Sequence, residues 1–113
     1  MHGNNQDHNN ETEKADIYEQ ILLEGYTDAE IAEIKSLMSN WDKATYLTLA
    51  HSIVDRADRH GFTDDYLRYL RKASNFQIKG ARKKLLPNGA YRWNKGSEFL
   101  IKRDGKIISY GEN

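Results

Sequence analysis

The chain has 113 residues, 38% of them apolar, with 17 Lys/Arg against 17 Asp/Glu and no cysteine. That length suits one domain with one modest core. The missing cysteines exclude a disulfide scaffold and Cys-based metal or redox chemistry, and no apolar run approaches the ~18 residues of a membrane span. The formal charge of zero hides a division. Residues 1–65 hold 14 acidic and 5 basic side chains, whereas residues 66–113 hold 12 basic and 3 acidic ones. A strongly basic half concentrates polyanions at its surface, which points to nucleic acid or an acidic membrane surface.

Residues 1–12 are polar and Asn-rich, carry His2 and His8, and lack the apolar core of a signal peptide. They read as a disordered leader or linker before a single α+β domain over 13–113, helical and acidic over 13–74, basic and sheet-forming over 75–113. From Lys14 to Glu24, Ile17, Ile21 and Leu22 recur at helical spacing, and Gly25 stops the run. Thr27-Asp28-Ala29-Glu30 is a capping box, and the stripe Ile31, Ile34, Leu37 and Met38 carries that helix to about Asn40. The span Asp42–His60 places Ala44, Leu47, Ala50, Ile53, Val54 and Ala57 on one face, with Gly61 as terminator. Thr63, Asp64 and Asp65 cap a fourth helix through Tyr66, Leu67, Leu70 and Ala73.

After Ser74 the period changes to that of strands. Ala81–Leu86, Ala90–Trp93, Ser97–Arg103 and Lys106–Tyr110 are separated by Pro87-Asn88-Gly89, Asn94-Lys95-Gly96 and Asp104-Gly105. The last is the strongest short hairpin signal available. The expected architecture is a meander of three to four antiparallel strands packed on about four helices.

Two three-residue loops and the Asp-Gly turn fix a register in which Leu85 opposes Tyr91, Lys84 opposes Arg92, Arg92 opposes Glu98 and Phe99 opposes Tyr110. Alternation then gives a core face of Leu85, Tyr91, Trp93, Phe99, Ile101, Ile108 and Tyr110. The opposite, open face carries Arg82, Lys84, Arg92, Glu98, Lys102 and Ser109, with Leu86, Leu100 and Ile107 between them. Cations around one carboxylate suit RNA cleavage. A base takes the ribose 2′-hydroxyl proton, cations stabilise the phosphorane, and an acid protonates the leaving 5′-oxygen. Glu98 is the candidate base, with Arg92, Lys102 and Lys84 on the phosphate. Ser109 and Tyr110 are further site candidates, and His60 is the acid whose ordinary pKa lies in range. Arg82, Lys83, Lys84 and Lys95 are the candidate RNA-binding cations. No metal or cofactor is required. Directly opposed Arg92 and Glu98 equally describe a cross-strand ion pair, His60 a helix-capping cation, and His51 a structural residue.

An N-terminal helical part followed by a compact basic antiparallel sheet, running from Gly89-Ala90-Tyr91-Arg92-Trp93 to Lys106-Ile107-Ile108-Ser109-Tyr110-Gly111-Glu112, resembles the barnase/EndoU/colicin/RelE-like group of toxin ribonucleases. The resemblance covers roughly residues 75–113 and is one of layout. It implies a toxin nuclease of a bacterial polymorphic or contact-dependent inhibition system. Such a hydrolase cleaves RNA, tRNA foremost, by 2′-hydroxyl transesterification. Its partners are RNA and a cognate immunity protein or antitoxin, with a host translation factor as a further candidate. It acts in the bacterial cytoplasm, delivered as the C-terminal part of a secreted or surface-exposed effector. Arg92, Lys102 and Tyr110 match the residue types used by RelE-like members. No His lies in residues 61–113, which departs from the histidine-dependent members. Two other readings stay open: a non-catalytic nucleic-acid-binding or regulatory module, and an immunity protein or antitoxin whose acidic helices mimic nucleic acid.

Overall fold

A computed structural model describes residues 17–112, so the expected leader over 1–12 and the start of the first helix lie outside the described residues. Helix α1 covers residues 17–23 and closes at Gly25, whose φ of 83° only glycine adopts without strain. Helix α2 (Asp28–Met38) opens on the expected capping box: Thr27 Oγ1 accepts from the Glu30 amide at 3.2 Å, and Glu30 accepts from the Thr27 amide at 2.9 Å. Helix α3 (Leu49–Arg59) is shorter than its apolar period predicts. Asp42 turns the chain by accepting from the Ala44 amide at 2.7 Å, Ala44 takes a left-handed φ of 52°, and the helix starts only where Thr48 caps the His51 amide. Helix α4 (Tyr66–Asn75) follows a left-handed Asp64.

Four strands follow, β1 (Arg82–Leu85), β2 (Tyr91–Lys95), β3 (Glu98–Arg103) and β4 (Lys106–Glu112), in the order β1-β2-β3-β4, all antiparallel. The α+β arrangement of four helices and a C-terminal four-stranded meander is therefore as expected. The outer edge of β4 is occupied. Residues 40–42 bridge to it in parallel, with the Asp42 amide donating to the Ile107 carbonyl and the Ile107 amide to the Asn40 carbonyl, each at 2.8 Å. Further along, the Tyr69 hydroxyl donates to the Tyr110 carbonyl at 2.7 Å and accepts from the Tyr110 amide at 3.3 Å. A side chain of α4 thus satisfies main-chain groups that a fifth strand would otherwise take. The core gathers Leu22, Ile34, Ile53, Leu70, Tyr69 and Tyr110 with Leu100 and Ile107 of the sheet. Each such aliphatic side chain contributes about 1.5–3 kcal/mol on burial. Among the described residues, no helix is long and apolar enough to cross a membrane.

Two registers differ from expectation. The β1–β2 pairing is as read, with Lys84 opposite Arg92 and Leu85 opposite Tyr91. Between β2 and β3 the turn is the two residues Gly96-Ser97, flanked by Lys95 opposite Glu98. Gly96 sits first in it at φ 60°, the position that favours glycine in a tight hairpin turn. Arg92 consequently opposes Ile101. Glu98 has moved along β2 by an odd number of residues, which turns it to the other face. Between β3 and β4 the Asp104-Gly105 turn pairs Arg103 with Lys106 as read, but a bulge then shifts Ser109 opposite Ile101, Tyr110 opposite Leu100 and Gly111 opposite Phe99.

Candidate functional site

The register sorts the side chains anew. The helix-side face carries Lys83, Leu85, Tyr91, Trp93, Lys95, Glu98, Leu100, Lys102, Ile107 and Tyr110, whereas Arg82, Lys84, Arg92, Asn94, Phe99, Ile101 and Gly111 share the opposite face. Arg92 and Glu98 are therefore on opposite sides of the sheet, and the expected pairing of base and phosphate-binding cation does not exist. Glu98 accepts a hydrogen bond from the Tyr110 hydroxyl and lines a hollow of about 280 Å³ with Lys72, Phe76 and Lys95. Tyr110 is fully buried, and burial followed by the Glu98 carboxylate drives its hydroxyl pKa far above the usual phenol value. It is a core residue, not a proton donor. Ser109 is also sealed, 4% exposed, with its hydroxyl against that of Tyr69. Lys102 opposes Tyr91 and so leaves the Arg92 face. Of the expected RNA-binding cations, Arg82 and Lys84 are exposed on the Arg92 face. Lys83 is on the other, over the Tyr91 ring, and Lys95 donates to the carbonyls of Lys79 and Gln77 at 3.0 and 3.5 Å.

What the open face does bring together is Arg92 and His60, around Phe99. The Arg92 guanidinium carbon lies 3.9 Å from the Phe99 ring centre, and its Nε donates to Asn94 Oδ1 at 2.9 Å. One donor and one face are thereby used, and the terminal NH₂ groups remain for a bidentate contact. The His60 ring meets the same Phe99 edge-on, centroids 5.4 Å apart and planes at 71°. His60 caps the C-terminus of α3, where Gly61 at φ 82° breaks the helix. The opposed residue of β4 is Gly111. A Cβ there would stand 2.5 Å from Phe99 Cε2 and 2.6 Å from both Cε1 and Nδ1 of His60. Only a missing side chain admits the imidazole to the sheet.

The electrostatics follow from α3, which also carries Arg56 and Arg59. Burial first, then the charges of Arg59, Arg56 and Arg92, hold the His60 pKa below its ordinary 6.5. A helix C-terminus favours a cation, but these effects outweigh it, so His60 is not the capping cation its position suggests. Arg59 pairs with Asp55 at 2.9 Å, and Asp55 also accepts from the Tyr46 hydroxyl. Arg56 stacks on Tyr46 at 5.2 Å, and its buried Nε has no hydrogen-bond partner among the described residues. The arrangement places an imidazole held toward its neutral form beside a guanidinium whose terminal NH₂ groups have no partner among the described residues, on the face that also carries Arg82 and Lys84.

Phe99 is buried, 6% exposed, as expected, but beneath Arg92 and His60 and not beside Tyr110; Arg56, Arg59, Asn94 and Gly111 were not anticipated from the sequence. The four-residue spacing of Arg56 and His60 was a usable signal, since it puts both on one side of α3. Nothing local marks Gly111, whose neighbours come from α3 and β3. A hollow of about 690 Å³ elsewhere is lined by Ile17, Tyr18, Ile21, Thr45, Tyr46, Leu47, Thr48 and His51, and Tyr18 stacks on His51 at 3.9 Å. Among the described residues no Lys or Arg lines it. Comparison with family models, with curated proteins and with solved structures finds no match to the chain.

Proposed function

We propose that this chain is a metal-independent endoribonuclease of toxin type, with His60 as general base and Arg92 as the phosphate-binding cation. One observation carries the reading: an imidazole held toward its neutral form and a half-buried guanidinium whose terminal NH₂ groups have no partner among the described residues share the Phe99 ring, beside the exposed Arg82 and Lys84. In the reaction His60 accepts the 2′-hydroxyl proton as the O2′–P bond forms. Arg92 neutralises the non-bridging oxygens of the phosphorane, the P–O5′ bond breaks, and the departing 5′-oxygen takes a proton from a water whose hydroxide receives the proton held by His60, restoring the neutral imidazole. Arg82 and Lys84 hold flanking phosphates by sequence-independent attraction. On this reading the site acts on RNA, tRNA foremost, in a bacterial cytoplasm reached by delivery from an effector. An immunity protein presenting acid to Arg92 and His60 restrains it, the charge complementarity also speeding capture.

The test is incubation of the purified protein with total tRNA in EDTA. New ends bearing 2′,3′-cyclic phosphate are expected, and His60→Ala lowers the rate about 10²–10⁴-fold, the usual range for a general base. Glu98→Gln cleaves like the parent. Cleavage by His60→Ala at the parental rate rejects the assignment. Salt-sensitive RNA binding without cleavage by the parent favours the second reading, a nucleic-acid-binding module, which the exposed cations of β1 support independently.

A further inference from the structure

The sheet enters the core cluster through Leu100 of β3 and Ile107 and Tyr110 of β4. Tyr91, Trp93 and Leu85 were expected in the core, yet none belongs to the core cluster, and Leu85 is 61% exposed. Outside that cluster Tyr91 and Trp93 are half-buried neighbours, centroids 5.8 Å apart and planes at 47°. The Lys83 ammonium lies 4.1 Å from the Tyr91 ring centre and 5.8 Å from that of Trp93. Lys102 stands opposite Tyr91 in the register. Among the described residues of β1, β2 and β3 on this side, the one carboxylate, Glu98, is turned to Tyr110. The patch is also continuous with the catalytic face. Successive residues of the outermost strand point alternately, so Arg82 and Lys84 line one side of β1 and Lys83 the other. Cations therefore run over the free edge of the sheet from the Arg92 face to the two rings.

We infer that single-stranded RNA flanking the scissile phosphate crosses the β1 edge and stacks two bases on Tyr91 and Trp93, with Lys83 and Lys102 on the intervening phosphates. The inference takes the identity of the polyanion from the ribonuclease reading. Every base has a π-face, so such a platform binds without regard to sequence, and a cationic rail beside it tracks the backbone. Duplex RNA cannot splay its bases onto the rings. A protein partner fits the patch less well, because its surface is aromatic and cationic with a single aliphatic side chain.

The experiment uses the parental protein and a 2′-O-methyl oligoadenylate of about ten nucleotides, which spans a site of this class and resists cleavage because it lacks the attacking hydroxyl. The chain has two tryptophans, and Trp41 is only 3% exposed, so quenching on titration reports Trp93. Quenching is expected, with little competition from duplex RNA of equal length. Fluorescence anisotropy of the same oligonucleotide carrying an end label reads affinity in the variants: Tyr91→Ala and Trp93→Ala each weaken binding about tenfold, within the range for one lost base stack, whereas Trp93→Phe binds like the parent. Thermal melts check that these variants fold, and the parental quenching needs no variant at all. Absent quenching despite binding, or parental affinity in both alanine variants, overturns the platform. So does a patch protected by an acidic protein but silent to RNA. Failure of the ribonuclease reading looks different, because His60→Ala then leaves tRNA cleavage unchanged whatever the rings do.

Discussion

The Cα of Gly111 faces the edge of the His60 imidazole with no room for a methyl group between them: the Cβ it lacks would come within 2.6 Å of Nδ1. Gly111→Ala must therefore displace His60, Phe99 or the end of β4. Overpacking of this kind costs about 1–3 kcal/mol. A lower melting temperature is expected in calorimetry, together with a fall in tRNA cleavage that persists well below the melt. Parental cleavage in a folded Gly111→Ala protein would show that the seat of His60 is irrelevant to the chemistry.

The pKa of His60 sets two pH dependences. Because burial and the three arginines hold it below 6.5, the unfolded chain takes up this proton at higher pH than the folded one. The contribution of His60 to stability is complete above pH 6.5 and is lost as pH falls through the folded pKa. Denaturant unfolding across that window should show less acid-side loss in His60→Gln than in the parent. The acid limb of kcat/KM lies below pH 6.5 for the same reason, and Arg92→Gln, which removes one of the cations, moves it upward. An NMR titration of the His60 ring in both proteins reads the shift directly.

Glu98 and Tyr110 separate stability from activity. Tyr110→Phe leaves Glu98 without its hydroxyl donor and is expected to cost about 1–3 kcal/mol, the usual penalty for a stranded polar partner. Glycine or alanine at Tyr110 would open the core and is the wrong test. Chemical denaturation measures the loss, and tRNA cleavage by the folded Tyr110→Phe protein stays at the parental rate.

Ala44 sits at φ 52° with its amide held by Asp42. Left-handed backbone costs a residue with a Cβ roughly 1–2 kcal/mol, part of which glycine returns as greater unfolded-state entropy. Ala44→Gly should raise the denaturation midpoint by about 0.5–1 kcal/mol equivalents. A lowered midpoint would mean that the turn is set by contacts of the Ala44 methyl.

The helical half was legible because its signals are local. Thr27 and Glu30 cap each other within four residues, and Gly25 and Gly61 terminate helices by their own backbone freedom. The meander was legible from its turn residues. The composition of the Arg92 face was not, because it depends on register, and register depends on whether Gly96 opens a two-residue turn or closes a three-residue one. That single choice decides the side to which Glu98 points. The bulge opposite Ile101 and Lys102 changed the cross-strand partners of Ser109 and Tyr110, and no turn residue announces a bulge. Asp42–His60 misled for another reason: its apolar period continues through Ala44 and Leu47, but pairing of residues 40–42 with β4 takes the main chain that a helix would need. His60 lies outside the strands, so its place as a candidate does not depend on register, and the β1–β2 pairing sets Arg82 and Lys84 beside Arg92 as expected.

The hydroxyl of Tyr69 clasps both main-chain groups of Tyr110 while the chain at Asn40 and Asp42 holds Ile107. The last strand is thus zipped to the acidic half and not only to its neighbour β3. Neither half is a portable module. Residues 75–113 made alone would present an unsatisfied strand edge and an uncovered Leu100, and would self-associate. Cleavage of the backbone between Phe76 and Ala81 should instead yield two oppositely charged fragments that stay together through gel filtration and regain their fold after mixing. The division of charge that marks this sequence is thereby also a means of reunion.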